Sequence, residues 1–175
     1  GDEMLKVLGC IMIIFASTGM GFIYGEGFKK RVKQLMEIQR CINQLQNEIM
    51  YTHTPLPAAI LNTASKSADP VKSVFEDISS MLHDNSVDNV YEAFKCAFEC
   101  KRESLSLKDE DIAAVLDLSK TLGESDIEGQ KSMFLLTLHN IKNQIEVSKI
   151  AVDKNLKMYR CLGFSLGAVI VIISV

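Results

Sequence analysis

The chain lacks every arrangement from which catalysis is usually built. Its three histidines, His53, His83 and His139, fall in separate segments, and none neighbours a Cys or Ser in a nucleophile motif. No Gly-rich loop ends in Gly-Lys-Ser/Thr; Gly19, Gly21, Gly25 and Gly27 lie in apolar surroundings with no strand before them, which excludes nucleotide binding by a phosphate loop. The five cysteines, at 10, 41, 96, 100 and 161, are too scattered for a zinc pattern and odd in number for a disulfide framework. Cys96 and Cys100 share a helix face, yet no His or carboxylate pair at ligand spacing completes a metal site. The expectation is therefore no metal, no cofactor and no enzyme. A formal net charge of −3 without a basic stripe excludes a nucleic-acid footprint. No alternating pattern longer than a few residues points to a β-sheet, and no internal repeat is found.

What the sequence does hold is two uncharged apolar stretches at opposite ends, Val7–Tyr24 and Cys161–Val175. The first is roughly 27 Å long as a helix, close to the hydrocarbon thickness of a bilayer; the second is shorter and spans only by thinning the bilayer or drawing on its flanks. Lys29, Lys30, Arg31 and Lys33 follow the first, and Lys154, Lys157 and Arg160 precede the second, so both clusters place the middle of the chain in the cytoplasm and next to anionic lipid. The expected organisation is a transmembrane helix over 4–28, a helical-bundle domain over 29–160 and a transmembrane helix over 161–175. Residues 1–3, which precede Met4, read as an expression remnant. A cleaved signal peptide is the rival for the first stretch, with Lys6 before it and small residues Ala16, Ser17 and Gly19 within it. That reading leaves the basic run unexplained and strands an odd number of cysteines in an oxidising compartment. Ser17, Gly21 and Gly25, and again Gly163 and Gly167, recur every four residues, a spacing that lets membrane helices approach closely.

Between the ends the pattern is helical throughout, an all-α bundle of about six helices. Leu35, Ile38, Ile42, Leu45 and Ile49 make one stripe on a helix that leaves the first span directly. Thr54-Pro55 and Asp69-Pro70 read as a cap followed by a first-turn proline. The helix after Thr54 runs to about Ser67 and turns Ile60, Leu61 and Ala64 inward; the helix after Asp69 buries Val71, Val74, Phe75, Ile78 and Leu82. Asn85 or Ser86 caps a helix with Val87, Val90, Tyr91, Phe94 and Phe98 on one face and Cys96 and Cys100 on the other. Ser106 to Asp109 and Ser125 to Glu128 have capping-box spacing, and the stripe between them, Ile112, Val115, Leu116, Leu118 and Leu122, stops at Gly123. A long final helix carries Ile127, Phe134, Leu138, Ile141, Ile145 and Val152, with Lys131 and Ser148 interrupting the seam.

Three motifs go further than periodicity. LQNEIMYTHTPLPAA from Leu45, LGESDIEGQ from Leu122 and KMYRCLGFSLGAVIVII from Lys157, in this order and with paired apolar ends, resemble the stage III sporulation protein AB family of endospore-forming bacteria. The resemblance covers the chain from Met4 onward. That family is similar in turn to the cytoplasmic domain of the type II secretion F protein, although F proteins usually carry two helical domains and three spans. The resemblance implies a component of the channel complex between mother cell and forespore, in the outer forespore membrane with its domain in the mother-cell cytoplasm. It further implies a secretion-type ATPase and other stage III sporulation membrane proteins as partners. A homo-oligomer would restore the missing second copy. The matching positions are Glu48, Tyr51, Thr54, Pro55, Leu56, Leu122, Gly123, Ser125, Asp126 and Gln130. Asp109, Glu110 and Asp111 form a compact acidic cluster suited to a basic partner. The two functional expectations are a membrane platform coupled to an ATPase and, as the alternative, a membrane-anchored structural protein that self-associates through its helical domain.

Overall fold

The computed structural model describes residues 1–124 and 126–174, apart from the side chains of Glu124 and Ser174. Among these residues the chain forms six α-helices, α1 Asp2–Met50, α2 Leu56–Ser65, α3 Val71–His83, α4 Val90–Cys100, α5 Asp109–Glu124 and α6 Ile127–Ser174, with one 3-10 turn, Arg102–Ser104, and no strand. The all-α reading and the two long apolar terminal helices are thus observed. The chain divides into two compact bodies, Arg31–Val147 and Gly1–Lys30 together with the segment from Ser148 onward.

The body Arg31–Val147 holds the hydrophobic core. Helices α2, α3, α4 and α5 pack in sequence, each on the next, and the heptad-like stripes point inward: Leu35, Ile38, Ile42 and Leu45 of α1, Val74, Phe75 and Ile78 of α3, Phe94 and Phe98 of α4. The Phe75 and Phe94 rings meet edge to face with centroids 6.2 Å apart. Burying each such ring contributes about 1.5–3 kcal/mol, so this pair lies among the larger single terms of the core. Cys96 is half-buried and Cys100 exposed, on the side of α4 away from Phe94 and Phe98.

Several local expectations are corrected. Leu61 is exposed and Ala59 and Thr63 are buried instead, because α2 starts at Leu56 and its buried face is rotated by one position. Thr54 does not cap α2, Pro55 occupies the cap position and Pro57 falls within the first turn. Asp69 does not cap α3, whose cap is Pro70; its carboxylate accepts instead from the Ser73 hydroxyl at 2.5 Å. Asn89, rather than Asn85 or Ser86, caps α4, accepting from the Glu92 N–H at 2.9 Å; Asn85 takes a left-handed backbone (φ 50°) after α3. Ile127 is exposed at the start of α6, whereas Ser148 is buried within the seam it was expected to interrupt, its hydroxyl making no hydrogen bond among the described residues.

In the other body the apolar segments of α1 and α6 are almost wholly unburied: Phe15, Phe22, Phe164 and Ile172 all lie open. The exception is a tight seat. A Cβ built on Gly21 would fall 1.7 Å from the Tyr159 hydroxyl oxygen and one on Gly25 3.9 Å from the ring, so the side chain from α6 fills the notch left by Gly21. Gly163 and Gly167 have no neighbour within 4 Å of such an atom. Beyond the seat, α1 residues from Lys6 to Thr18 and α6 residues from Leu166 to Ile173 line an apolar cleft of about 710 Å³. Lower numbers on α1 thus accompany higher numbers on α6, and the two segments run antiparallel.

Candidate functional site

Arg31 makes four side-chain hydrogen bonds within the Arg31–Val147 body. Its Nε–H donates to Asp111 Oδ2 and one terminal nitrogen to Oδ1, both at 2.8 Å, a two-pronged pair between α1 and α5. The same nitrogen reaches Glu110 Oε1 at 3.2 Å and Gln144 Oε1 of α6 at 3.3 Å. Arg31 is 4% exposed and Asp111 1%. The hydrogen bonds to Asp111 push the guanidinium pKa up against the opposing effect of burial. Asp111 is placed by its own helix: at the third position of α5 its Oδ2 also accepts the Lys108 N–H at 2.9 Å, and the positive helix end favours it. Only the return bond of a capping box is made, from the Lys108 N–H to Asp111, and the Ser106 N–H is bound to Gln34 Oε1 at 2.8 Å. Arg31 leaves the row of cations expected to face lipid, since it is consumed inside the fold.

The acidic run divides three ways. Asp111 is internal, Glu110 is half-exposed beside Arg31, and Asp109 is exposed and pairs with Arg102 at 2.6 Å. Arg102 also donates to the Leu107 carbonyl at 2.6 Å, which ties the 3-10 turn to the start of α5.

The motif around Glu48 closes the corner between α1 and α2. Glu48 Oε1 accepts from Gln44 at 3.0 Å; Oε2 accepts from the Thr54 hydroxyl at 2.9 Å and Asn62 at 3.2 Å. The Thr54 N–H donates to the Glu48 carbonyl at 2.9 Å, and Lys66 Nζ lies 3.9 Å from the carboxylate. The bonds from Asn62 and then Thr54 hold the Glu48 carboxyl below its usual range. Tyr51, one turn later, is 77% exposed. Nearby, Cys41 of α1 is buried with its Sγ 2.9 Å from Ser67 Oγ, and burial pushes its thiol up to about 11.

In the second motif Leu122 is buried, and a Cβ on Gly123 would approach Val90 Cγ2 to 3.3 Å. Ser125 lies outside the described residues. Asp126 is exposed and caps α6, accepting the Gly129 N–H at 2.8 Å, while the Gln130 N–H donates to its carbonyl at 3.0 Å. Ser17 turns its hydroxyl to the Ile14 carbonyl of its own helix at 3.1 Å. Sequence reasoning missed Arg31 as an internal pair, Tyr159 as the residue that seats on Gly21, and Gln34 and Gln144 altogether. A tyrosine within the third motif was the one available signal. Among the described residues no three His, Cys, Asp or Glu side chains converge as metal ligands.

Comparison with known proteins agrees over nearly the whole chain. The family model described as Stage III sporulation protein AB (spore_III_AB) matches residues 6–175. The Stage III sporulation protein AB of Bacillus subtilis (strain 168) is 31% identical over 170 residues, covering 97% of this chain and 99% of that protein. A solved structure of Stage III sporulation protein AB (SpoIIIAB) is similar with a TM-score of 0.66 at 27% identity, over 71% of this chain and 97% of the solved one. Sequence motifs, family match, curated relative and fold converge, and the chain belongs to the stage III sporulation protein AB family.

Proposed function

We propose that this chain is a non-enzymatic membrane platform in the channel complex between mother cell and forespore, recruiting or coupling to a secretion-type ATPase. In this reading the ends of α1 and α6 cross the outer forespore membrane and the Arg31–Val147 body lies in the mother-cell cytoplasm beside other stage III sporulation membrane proteins. The observation that carries it is the pair of helices of 49 and 48 residues, each continuing from a buried core stripe into an unburied apolar segment, in a chain of this family. Membrane-embedded helices need no protein cover on their apolar faces, which accounts for the open Phe15 and Phe164. Among the described residues Tyr51, Asp109, Glu110 and Asp126 are the exposed members of the candidate contact set; Glu48 and Asp111 are bound internally and would support a contact face from beneath.

The reading is tested in the native membrane with single cysteines at Asp2→Cys and Asp84→Cys in a background cleared of native thiols. An impermeant reagent added from outside should label position 2 and spare position 84, and the detergent-solubilised full chain should retain the cognate ATPase. Labelling at 84 would place the body outside and end the platform reading. The second reading, a self-associating structural protein, is favoured by exposed Leu135, Leu136 and Val147 on α6; a single monomeric species of the full chain at all concentrations would remove it.

A further inference from the structure

We infer that the Gly21–Tyr159 seat assembles a belt of lysine and arginine side chains, from two segments more than a hundred residues apart in sequence, that binds anionic phospholipid headgroups. The inference rests on the membrane reading above and deepens it. Because Tyr159 sits against Gly21 and Gly25 and the segments run antiparallel, positions after Gly25 on α1 share a level with positions before Tyr159 on α6. At 1.5 Å per residue, Lys29 and Lys30 lie about 6–8 Å beyond Gly25, Lys154 about 8 Å from Tyr159 in the same direction, and Lys157 about 3 Å. Arg160 adjoins the seat, and Lys149 lies about 15 Å, nearly three turns, from Tyr159.

All six cations are exposed, and none forms an ion pair among the described residues. Arg31, next in sequence to Lys30, is by contrast fully engaged by Asp111. Two exposed carboxylates, Glu26 and Asp153, share the level, so the belt stays positive. On α6 the helical positions of Lys154 and Lys157 point away from Tyr159 and on α1 that of Lys30 points away from Gly21, while Lys29 and Arg160, about 80–100° round from Gly21 and Tyr159, lie exposed on the flanks. The charge therefore faces the surroundings of the hairpin rather than a pocket between its helices. Tyr24 is exposed at the same level as Tyr159, the position at which aromatic side chains collect between hydrocarbon and headgroups. Long side chains beside an apolar segment extend their charges to that interface, where phosphate is the abundant anion. A ring of separate charges recognises phosphate charge and not the identity of the headgroup.

The test uses the full chain in nanodiscs of phosphatidylcholine with a minority of phosphatidylglycerol, reading the motional restriction of spin-labelled lipids of each kind. The expected result is a preference for phosphatidylglycerol of about fivefold per contact at low salt, falling toward none at high salt. The combined variant Lys29→Gln, Lys30→Gln, Lys154→Gln and Lys157→Gln should lose the preference, and the corresponding Lys→Arg variant should keep it. Equal restriction of both lipids by the native chain, or a preference that survives the glutamine variant, would overturn the belt. Insertion is scored separately by resistance to alkaline extraction: an unrestricted, extractable chain would overturn the membrane reading, and the belt with it.

Discussion

At the scale of single residues, the Arg31–Asp111 pair shows why a buried charge is costly to orphan. The two side chains are taken out of water together, and their bonds offset that cost only while both are present. Arg31→Ala should therefore destabilise the folded chain by about 3–5 kcal/mol, since Asp111 is left buried and charged. Arg31→Met with Asp111→Leu should recover most of that loss. Chemical denaturation of the full chain in detergent measures both; an Arg31→Ala variant of native stability would show that the pair contributes nothing. Arg31→Lys should fall between, because an ammonium cannot match both carboxylate oxygens. Glu48 provides a pH signature. Its folded pKa lies below the ordinary carboxyl value of 4.5, so its stabilising contribution is complete above that value and is lost as pH falls through the folded pKa. Glu48→Gln should flatten the acid side of the stability profile below about pH 4.5 and leave its shape near neutrality unchanged; an identical acid limb in both proteins would refute this.

At the scale of elements, the helices were legible and their starting residues were not. The inward stripes of α1, α3, α4 and α5 follow from three-four spacing and are buried at their centres, while Ile49, Leu82, Val90, Tyr91 and Leu116 are half-buried. The caps were ambiguous because Ser, Thr, Asn and Asp crowd every helix start, and any of them can serve. Which one does depends on where packing lets the chain turn: Asn89 and Asp126 take the role, while Thr54 is drawn to Glu48 and the Ser106 backbone to Gln34. The small residues of the apolar segments divide in the same way. Gly21 faces a ring and Gly167 faces open space, though both satisfy the same spacing rule. Gly21→Leu should force Tyr159 out of its seat and loosen the hairpin, whereas Gly167→Leu should leave it intact. Electron–electron distances between spin labels at Leu8 and Ile172 report this as a broadened distribution in the first variant alone. The same broadening in both, or in neither, would deny Gly21 its particular role.

At the scale of the whole molecule, the two bodies treat their apolar surface differently. The Arg31–Val147 body gathers most of its apolar side chains into one core and leaves a few outside it, Leu61, Leu135, Leu136 and Val147 among them. The terminal segments leave theirs open, with Lys29, Lys30, Lys154, Lys157 and Arg160 at the inner ends and Asp2, Glu3 and Lys6 at the outer end of the first. Under the platform reading each long helix is both a core element and a membrane anchor. Both motifs nearest to Glu48 and Asp126 then serve corners of the body, at the end of α1 and the start of α6.

The sequence by itself determined the helical class, the two apolar ends, most of the core and the family, because periodicity, composition and motif order are local properties read along the chain. The tertiary structure alone decided that Arg31 pairs with Asp111 eighty residues away, that Glu48 holds Thr54 and Asn62, and that Tyr159 fills the Gly21 notch. Each of those is a choice among many chemically equivalent partners, and only the packing of distant segments brings one of them within reach.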